Sequence, residues 1–216
     1  MGEIRIVERD RKIFREVERW RVVLGRHIGA LAGFEGQKAC DRRLRKLIEA
    51  GYLERKKVLY GVPGIYALTY KAKLLVSLPQ RQEKIRVEQI VHDIAVLDTA
   101  IYFHKTKGIP FEDMATEKQL HQKDGFGTRK HRPDFVIMVN GKSRCVEVEL
   151  SLKAKSRLEQ NILANFMAYD SQIWVAPDRH CKIYQILQDN QQKYANHIHV
   201  LELQEVQKKN DFTTTE

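Results

Sequence analysis

The chain has 216 residues, enough for one large domain or two small ones, and its 43% hydrophobic and 31% charged residues exclude wholesale disorder. A formal net charge of +10 points to a polyanionic partner, the backbone of a nucleic acid being the commonest. Cys40, Cys145 and Cys181 are far apart and form no CxxC pair, which argues against a disulfide framework and a zinc ribbon and fits a reducing compartment, and no apolar run approaches the length of a membrane-spanning helix.

In chain order, residues 7–24 read as a helix with Ile6, Ile13, Phe14, Val17, Trp20 and Leu24 as its apolar stripe. A short helix follows over residues 26–31, punctuated by glycines. Residues 37–50 predict a clearer helix, with Cys40, Leu44, Leu47 and Ile48 on one face and Gly51 to end it. Residues 52–59 and 65–69 read as two strands. Val62-Pro63-Gly64-Ile65 suits a type II turn between them, because proline presets φ and glycine accepts a positive one.

Helix, short helix, helix and hairpin is the order of a winged helix, in which the helix before the hairpin enters the DNA major groove. Its outward positions here include Lys38, Arg42, Arg43, Arg45 and Lys46, and the hairpin adds Arg55, Lys56 and Lys57. Between Gln37 and Tyr60 these eight cations face three acids, so about half the net charge sits in one ninth of the chain. That clustering predicts contacts to the phosphates of double-stranded DNA. The alternatives are a solvated basic face or a protein-interaction module. The phrase RRLRKLIEAGYLERK is similar to the recognition helix and wing of many bacterial winged helix regulators.

A boundary is expected near residue 78, within a mixed stretch containing Pro79. Residues 84–104 predict a long helix carrying His92, Asp93 and Asp98; His92 reads first as a core histidine beside the apolar face. Residues 113–121 fit either a strand or a short helix. Residues 123–131 read as a mobile basic loop suited to DNA backbone.

Residues 133–150 carry the chemistry. Two β-rich runs flank Asn140-Gly141, the strongest short signal for a type I′ hairpin turn. A two-residue turn sets the register: Val139 pairs with Lys142, Val136 faces Cys145, and Asp134 faces Glu147. Directly opposite Cβ atoms lie about 4.5–5.5 Å apart, and Glu149 projects from the same face as Glu147. Three carboxylates are therefore expected to converge. Like charges so close need a compensating cation or proton, and Mg²⁺ or Mn²⁺ is the economical choice. Such an ion activates water for attack on a phosphodiester, with Lys153 placed to neutralise charge. The competing expectation is salt bridging, with Arg132 facing Glu149 and Lys153 pairing with Glu147.

Beyond the hairpin, residues 154–168 read as helix, 172–176 as strand, 178–195 as helix with Asp178 as N-cap, and 197–203 as a closing strand. The order predicts a mixed sheet flanked by helices. Residues 208–216 read as a frayed tail.

The run RPDFVIMVNGKSRCVEVELSLK resembles a variant of the PD-(D/E)xK nuclease motif. The resemblance implies that Asp134 and Glu147 hold metal. Glu149 occupies the position usually held by lysine, a replacement also found in some restriction endonucleases that cut DNA. More closely, HDIAVLD (residues 92–98), Glu117 in TEKQL, RPD and EVELSLK, in that order, are similar to the replication-relaxation family of plasmids and mobile elements, over roughly residues 10–205. That resemblance implies an α+β or α/β protein: a winged helix over residues 1–78 and a restriction-endonuclease-like mixed sheet over 79–207. It implies a metal-dependent DNA nicking or relaxing endonuclease of replication or mobilisation, acting in the cytoplasm. Asp134, Glu147, Glu149 and Lys153 would be catalytic, with His92 and Glu117 accessory. A second copy of the chain, or replication and mobilisation proteins, would be its partners. The alternative is a non-catalytic DNA-binding factor with a degenerate nuclease-like domain.

Overall fold

The computed structural model describes residues 4–80, 85–125, 127, 130–152, 154–194 and 197–210, and the chain forms two compact units, Met1–Leu97 and Asp98–Glu216. The expected boundary near residue 78 gives way to one nineteen residues later. Ile85, Ile90 and Ile94 explain the difference, because they pack on Val22, Leu24 and Ile65 of the first unit.

The first unit begins with α1 (Glu8–Arg19). Its N-terminus is capped by Asp10, whose Oδ2 accepts from the Val7 N–H at 2.8 Å. The helix stops at Arg19 rather than running to residue 24. Val22 and Val23 lie beyond it, and Val23 makes an isolated antiparallel bridge to Tyr66. β-branched residues favour that extended geometry. Then come α2 (Gly25–Leu31) and α3 (Gln37–Glu49), the strands β1 (Leu53–Lys56) and β2 (Ile65–Leu68), paired antiparallel, and α4 (Tyr70–Leu75). Cys40, Leu44 and Leu47 form the buried stripe of α3. Gly51, at φ +74°, ends the helix, with its N–H on the Ile48 carbonyl and the Tyr52 N–H on the Leu47 carbonyl. The hairpin turn is not the expected one at Pro63-Gly64. It closes earlier, where the Val62 N–H donates to the Leu59 carbonyl and Gly61 takes φ +75°.

α5 (Ile90–Lys107) leads into the second unit. There the order is β3 (Met114–Thr116), α6 (Glu117–Asp124), β4 (Phe135–Val139), β5 (Lys142–Val148), α7 (Lys155–Ala168), β6 (Ser171–Ala176), α8 (Lys182–Lys193), β7 (Ile198–Glu202) and α9 (Leu203–Asn210). Residues 113–121, ambiguous in sequence, are thus a strand and then a helix. Thr116 makes the switch: its hydroxyl accepts from the Gln119 N–H, while the Gln119 side chain accepts from the Thr116 N–H. Cys181, not Asp178, caps α8, its Sγ accepting from the Tyr184 N–H. Asp178 instead holds the His180 N–H at 2.7 Å, in the turn before the helix. Residues 208–210, expected in the tail, close α9, where Val206 is buried; residues 211–216 lie outside the described residues.

The five strands run in chain order, β3-β4-β5-β6-β7, antiparallel across the first two pairings and parallel across the last two. Asn140 and Gly141 have φ of +52° and +75°, as a type I′ turn demands, and the register from Val139↔Lys142 to Phe135↔Val146 is the expected one. Helices cover both faces. Phe103 of α5 meets Phe135 edge-on at 6.5 Å on one side. On the other, Leu158 and Ile162 of α7 pack with Trp174, Ile183 and Ile198. The chain is therefore a mixed α+β protein with a five-stranded mixed sheet flanked by helices.

Candidate functional site

Side chains directly opposite in an antiparallel pair share a face. Carrying the register one position past Thr116↔Phe135 and Phe135↔Val146 brings Glu117, the first residue of α6, and Asp134, just before β4, into line with Glu147 of β5. The backbone bears this out, since the Glu117 N–H donates to the Asp134 carbonyl at 2.8 Å. Asp134 is anchored across the hairpin as well: its Oδ2 accepts from the Val148 N–H at 2.7 Å. The row lies opposite to Phe135, hence on the α7 side of the sheet.

Glu147 is the buried member, 8% exposed. It pairs in register with Trp174, which belongs to the apolar cluster under α7. Its Oε1 is held by the His131 Nε2 at 2.5 Å and accepts from the Asn165 side-chain amide at 2.9 Å. Burial pushes the Glu147 carboxyl up to about 7, and the Asp134 charge adds to the rise, against the pull of the His131 and Asn165 bonds. Burial opposes charge on His131, but the hydrogen bond and charge of Glu147, with Asp134 beyond, raise its pKa overall. His131 and Asn165 were not expected here. His131 sits in a stretch that reads as a basic loop, and Asn165 is one polar residue on an apolar helix. The signal for Asn165 was its spacing, on the stripe of Leu158 and Ile162.

The other expected members of this site are distributed differently. Glu149 lies about 7 Å further along the strand than Glu147, with its N–H on the Val175 carbonyl at 3.0 Å. Arg132, expected opposite Glu149, donates from Nε to Asp124 Oδ2 at 2.8 Å, and Lys130 holds the other carboxylate oxygen at 2.7 Å. Those two cations, Lys130 first, hold the Asp124 carboxyl below its ordinary range. Lys153 lies outside the described residues. His92 belongs to the first unit, where its Nδ1 meets Asp93 at 3.3 Å, and Asp93 in turn meets Arg21 at 3.6 Å. Tyr169, which nothing in the sequence marks, is pushed up to about 12 by burial and by the Cys145 and Glu147 charges.

Among the described residues no group of three or more histidine, cysteine, aspartate or glutamate side chains is disposed to hold a metal ion. The donor chemistry still suits Mg²⁺ or Mn²⁺ as a partial set. Magnesium ordinarily takes one or two carboxylates and completes its shell with water and substrate phosphate, and Asp134 and Glu147 are two hard oxygen donors on one face.

In the first unit, Lys38, Arg42, Arg45 and Lys46 of α3 are exposed, as are Arg55, Lys56 and Lys57 of the hairpin. Arg43 differs from them: its guanidinium grips both oxygens of fully buried Asp10, at 2.8 Å through Nε, and donates to the Arg5 carbonyl. Its place one step round the helix from Arg42 turns it toward α1. Lys56 meets Glu54 at 2.6 Å, and Arg55 lies over the Tyr66 ring. A cleft of about 630 Å³ runs between α3 and the hairpin, lined by Arg26, Gln37, Asp41, Arg45, Arg55 and Tyr66 among others.

Among the described residues no helix is long and apolar enough to cross a membrane. Comparison with family models, with curated proteins and with solved structures finds no match.

Proposed function

We propose that this chain binds double-stranded DNA through a winged helix formed by its first unit. The observation that carries the reading is the exposed cationic face of α3, Lys38, Arg42, Arg45 and Lys46, opposite the buried stripe of Cys40, Leu44 and Leu47. The order α1, bridge, α2, α3, β1, β2 supports it, because that order leaves α3 as the element free to enter a major groove. Arg55, Lys56 and Lys57 extend the same charge onto the hairpin. The test is a gel shift with the purified chain over a series of salt concentrations. Binding that weakens steeply with salt is expected, since neutralised phosphates release their counterions; no shift at low salt overturns the reading.

A second reading is favoured by the approach of Asp134, one residue before β4, to Glu147 of β5, with Glu117 at the start of α6 beside Asp134. It makes the second unit a nuclease-like domain that nicks DNA, in the setting of plasmid or mobile-element replication that the sequence resemblance implies. Asp134 and Glu147 would hold a Mg²⁺ or Mn²⁺ ion, which when bound lowers the pKa of water and offsets charge on a phosphate. Asn165 orients Glu147, and His131 shares its oxygen until a cation competes for it. Supercoiled plasmid with Mn²⁺ tests this. Conversion to open circle by the natural chain, lost in an Asp134→Asn/Glu147→Gln variant that still shifts DNA, is the expected result. Intact plasmid with a retained shift leaves a DNA-binding factor whose second unit is non-catalytic.

A further inference from the structure

Tyr60 is 96% exposed, the most exposed large apolar side chain among the described residues. It stands at the tip of the hairpin between β1 and β2, and its exposure does not come from a loose loop. Val58, Leu59 and Val62, on either side of it, pack against Val22, Leu24, Ile65 and Ile90. The Val62 N–H closes the turn on the Leu59 carbonyl at 3.3 Å, and Gly61 supplies the positive φ of +75° at the third position. The turn is thus clamped on both sides while its second residue, Tyr60, is driven outward. The strand that leads into it ends in Arg55 and Lys56, with Lys57 next, all three exposed.

An aromatic ring presented this way is an unusual thing to leave in water, since tyrosine buries on the order of 150–250 Å² when it finds a partner. The cations behind it select the partner by charge. They match phosphates, and a ring carried three residues past Lys57 reaches beyond the phosphates to the bases. In an unbroken duplex both faces of each base are already stacked. A ring on a rigid turn finds an open base face only where the stack is interrupted.

We infer that Tyr60 is a stacking residue for an exposed base face at a fork or unpaired end of DNA, so that the hairpin recognises a break in the duplex while α3 holds the paired region. This rests on the DNA-binding reading above, and the test separates the two. The full chain, its Tyr60→Ala variant and its Tyr60→Phe variant are titrated with a blunt duplex and with a forked duplex carrying 2-aminopurine as the first unpaired base. The natural chain should prefer the fork and quench the 2-aminopurine fluorescence. Tyr60→Ala should lose about tenfold in fork affinity, within the range of one stacked base, and lose the quenching. Its duplex affinity and salt slope should not change. Tyr60→Phe should behave as the natural chain. The ring touches none of the core, so unchanged thermal melting is expected of both variants and separates loss of stacking from loss of fold. If the natural chain binds both DNAs but Tyr60→Ala keeps its fork affinity, or loses affinity equally for both, the inference is overturned and DNA binding stands. If the natural chain binds neither DNA, the DNA-binding reading falls and takes this one with it.

Discussion

Asn165 owes its place in an otherwise apolar helix face to one acceptor, the buried Glu147 oxygen at 2.9 Å. Removing it as Asn165→Ala withdraws one of the two donors to that oxygen, a loss of about 1–3 kcal/mol. For a chain of this size the melting temperature should fall by several degrees, read by circular dichroism. Arg43 and Arg42, adjacent in sequence, should separate cleanly. Arg43→Ala leaves Asp10 buried without its guanidinium and should cost on the order of 3 kcal/mol of stability; Arg42→Ala should leave melting unchanged. Equal melting of the two variants would contradict the inward role of Arg43. At Asp170, the Ser143 N–H at 2.7 Å and the Ser143 hydroxyl at 2.9 Å hold the carboxyl below its ordinary 3.8. A depressed carboxyl binds its proton more weakly folded than unfolded. Its contribution is complete above the unfolded value and is lost as pH falls through the folded one. Melting measured between about pH 5 and pH 2 should therefore decline less steeply in Asp170→Asn than in the natural chain.

Between elements, the β4–β5 turn governs where the carboxylates sit. Asn140 and Gly141 both lie at positive φ, and a β-branched residue there pays the left-handed penalty of about 1–2 kcal/mol. Gly141→Val should lower the melting temperature, and it should also blur the register that sets Asp134 against Glu147. If nicking is observed, its loss in Gly141→Val should exceed what the melting shift explains, because a one-residue slip sends Glu147 to the α5 face. α3 shows the same logic in a helix: one stripe packs inward, the other presents cations. Its length and end were readable because Gly51 closes it by a purely local motif. The end of α1 was not readable. The apolar stripe continues to Leu24, and only the bridge from Val23 to Tyr66, 43 positions away, pulls residues 20–24 out of the helix.

Across the molecule, charge is the property with the longest reach. About half of the surplus of +10 lies in the first unit's α3 and hairpin. Each cation that contacts a phosphate should contribute about one to the slope of log affinity against log salt. Arg42→Ala/Lys46→Ala should therefore bind more weakly at low salt and with a shallower slope, by up to about two. A double variant with the natural slope would show that this face makes no phosphate contact. The division into Met1–Leu97 and Asp98–Glu216 also belongs to this scale. The composition change near Pro79 marks a plausible linker, yet the packing of Ile90 and Ile94 assigns the start of α5 to the first unit.

What the sequence determined alone is what depends on near neighbours or on a period. The type I′ turn, the β4–β5 register, the stripe of α3, the mixed sheet and the clustered positive charge all follow from residue type and spacing. Tertiary structure decided what depends on partners distant along the chain. His131 and Asn165 reach Glu147 from 16 and 18 residues away, and Arg43 reaches Asp10 from 33. It also chose which of several equivalent cations turns inward and which aromatic ring is forced out. No local preference distinguishes Arg43 from Arg42 or Tyr60 from its apolar neighbours; only the surfaces that fold against them do.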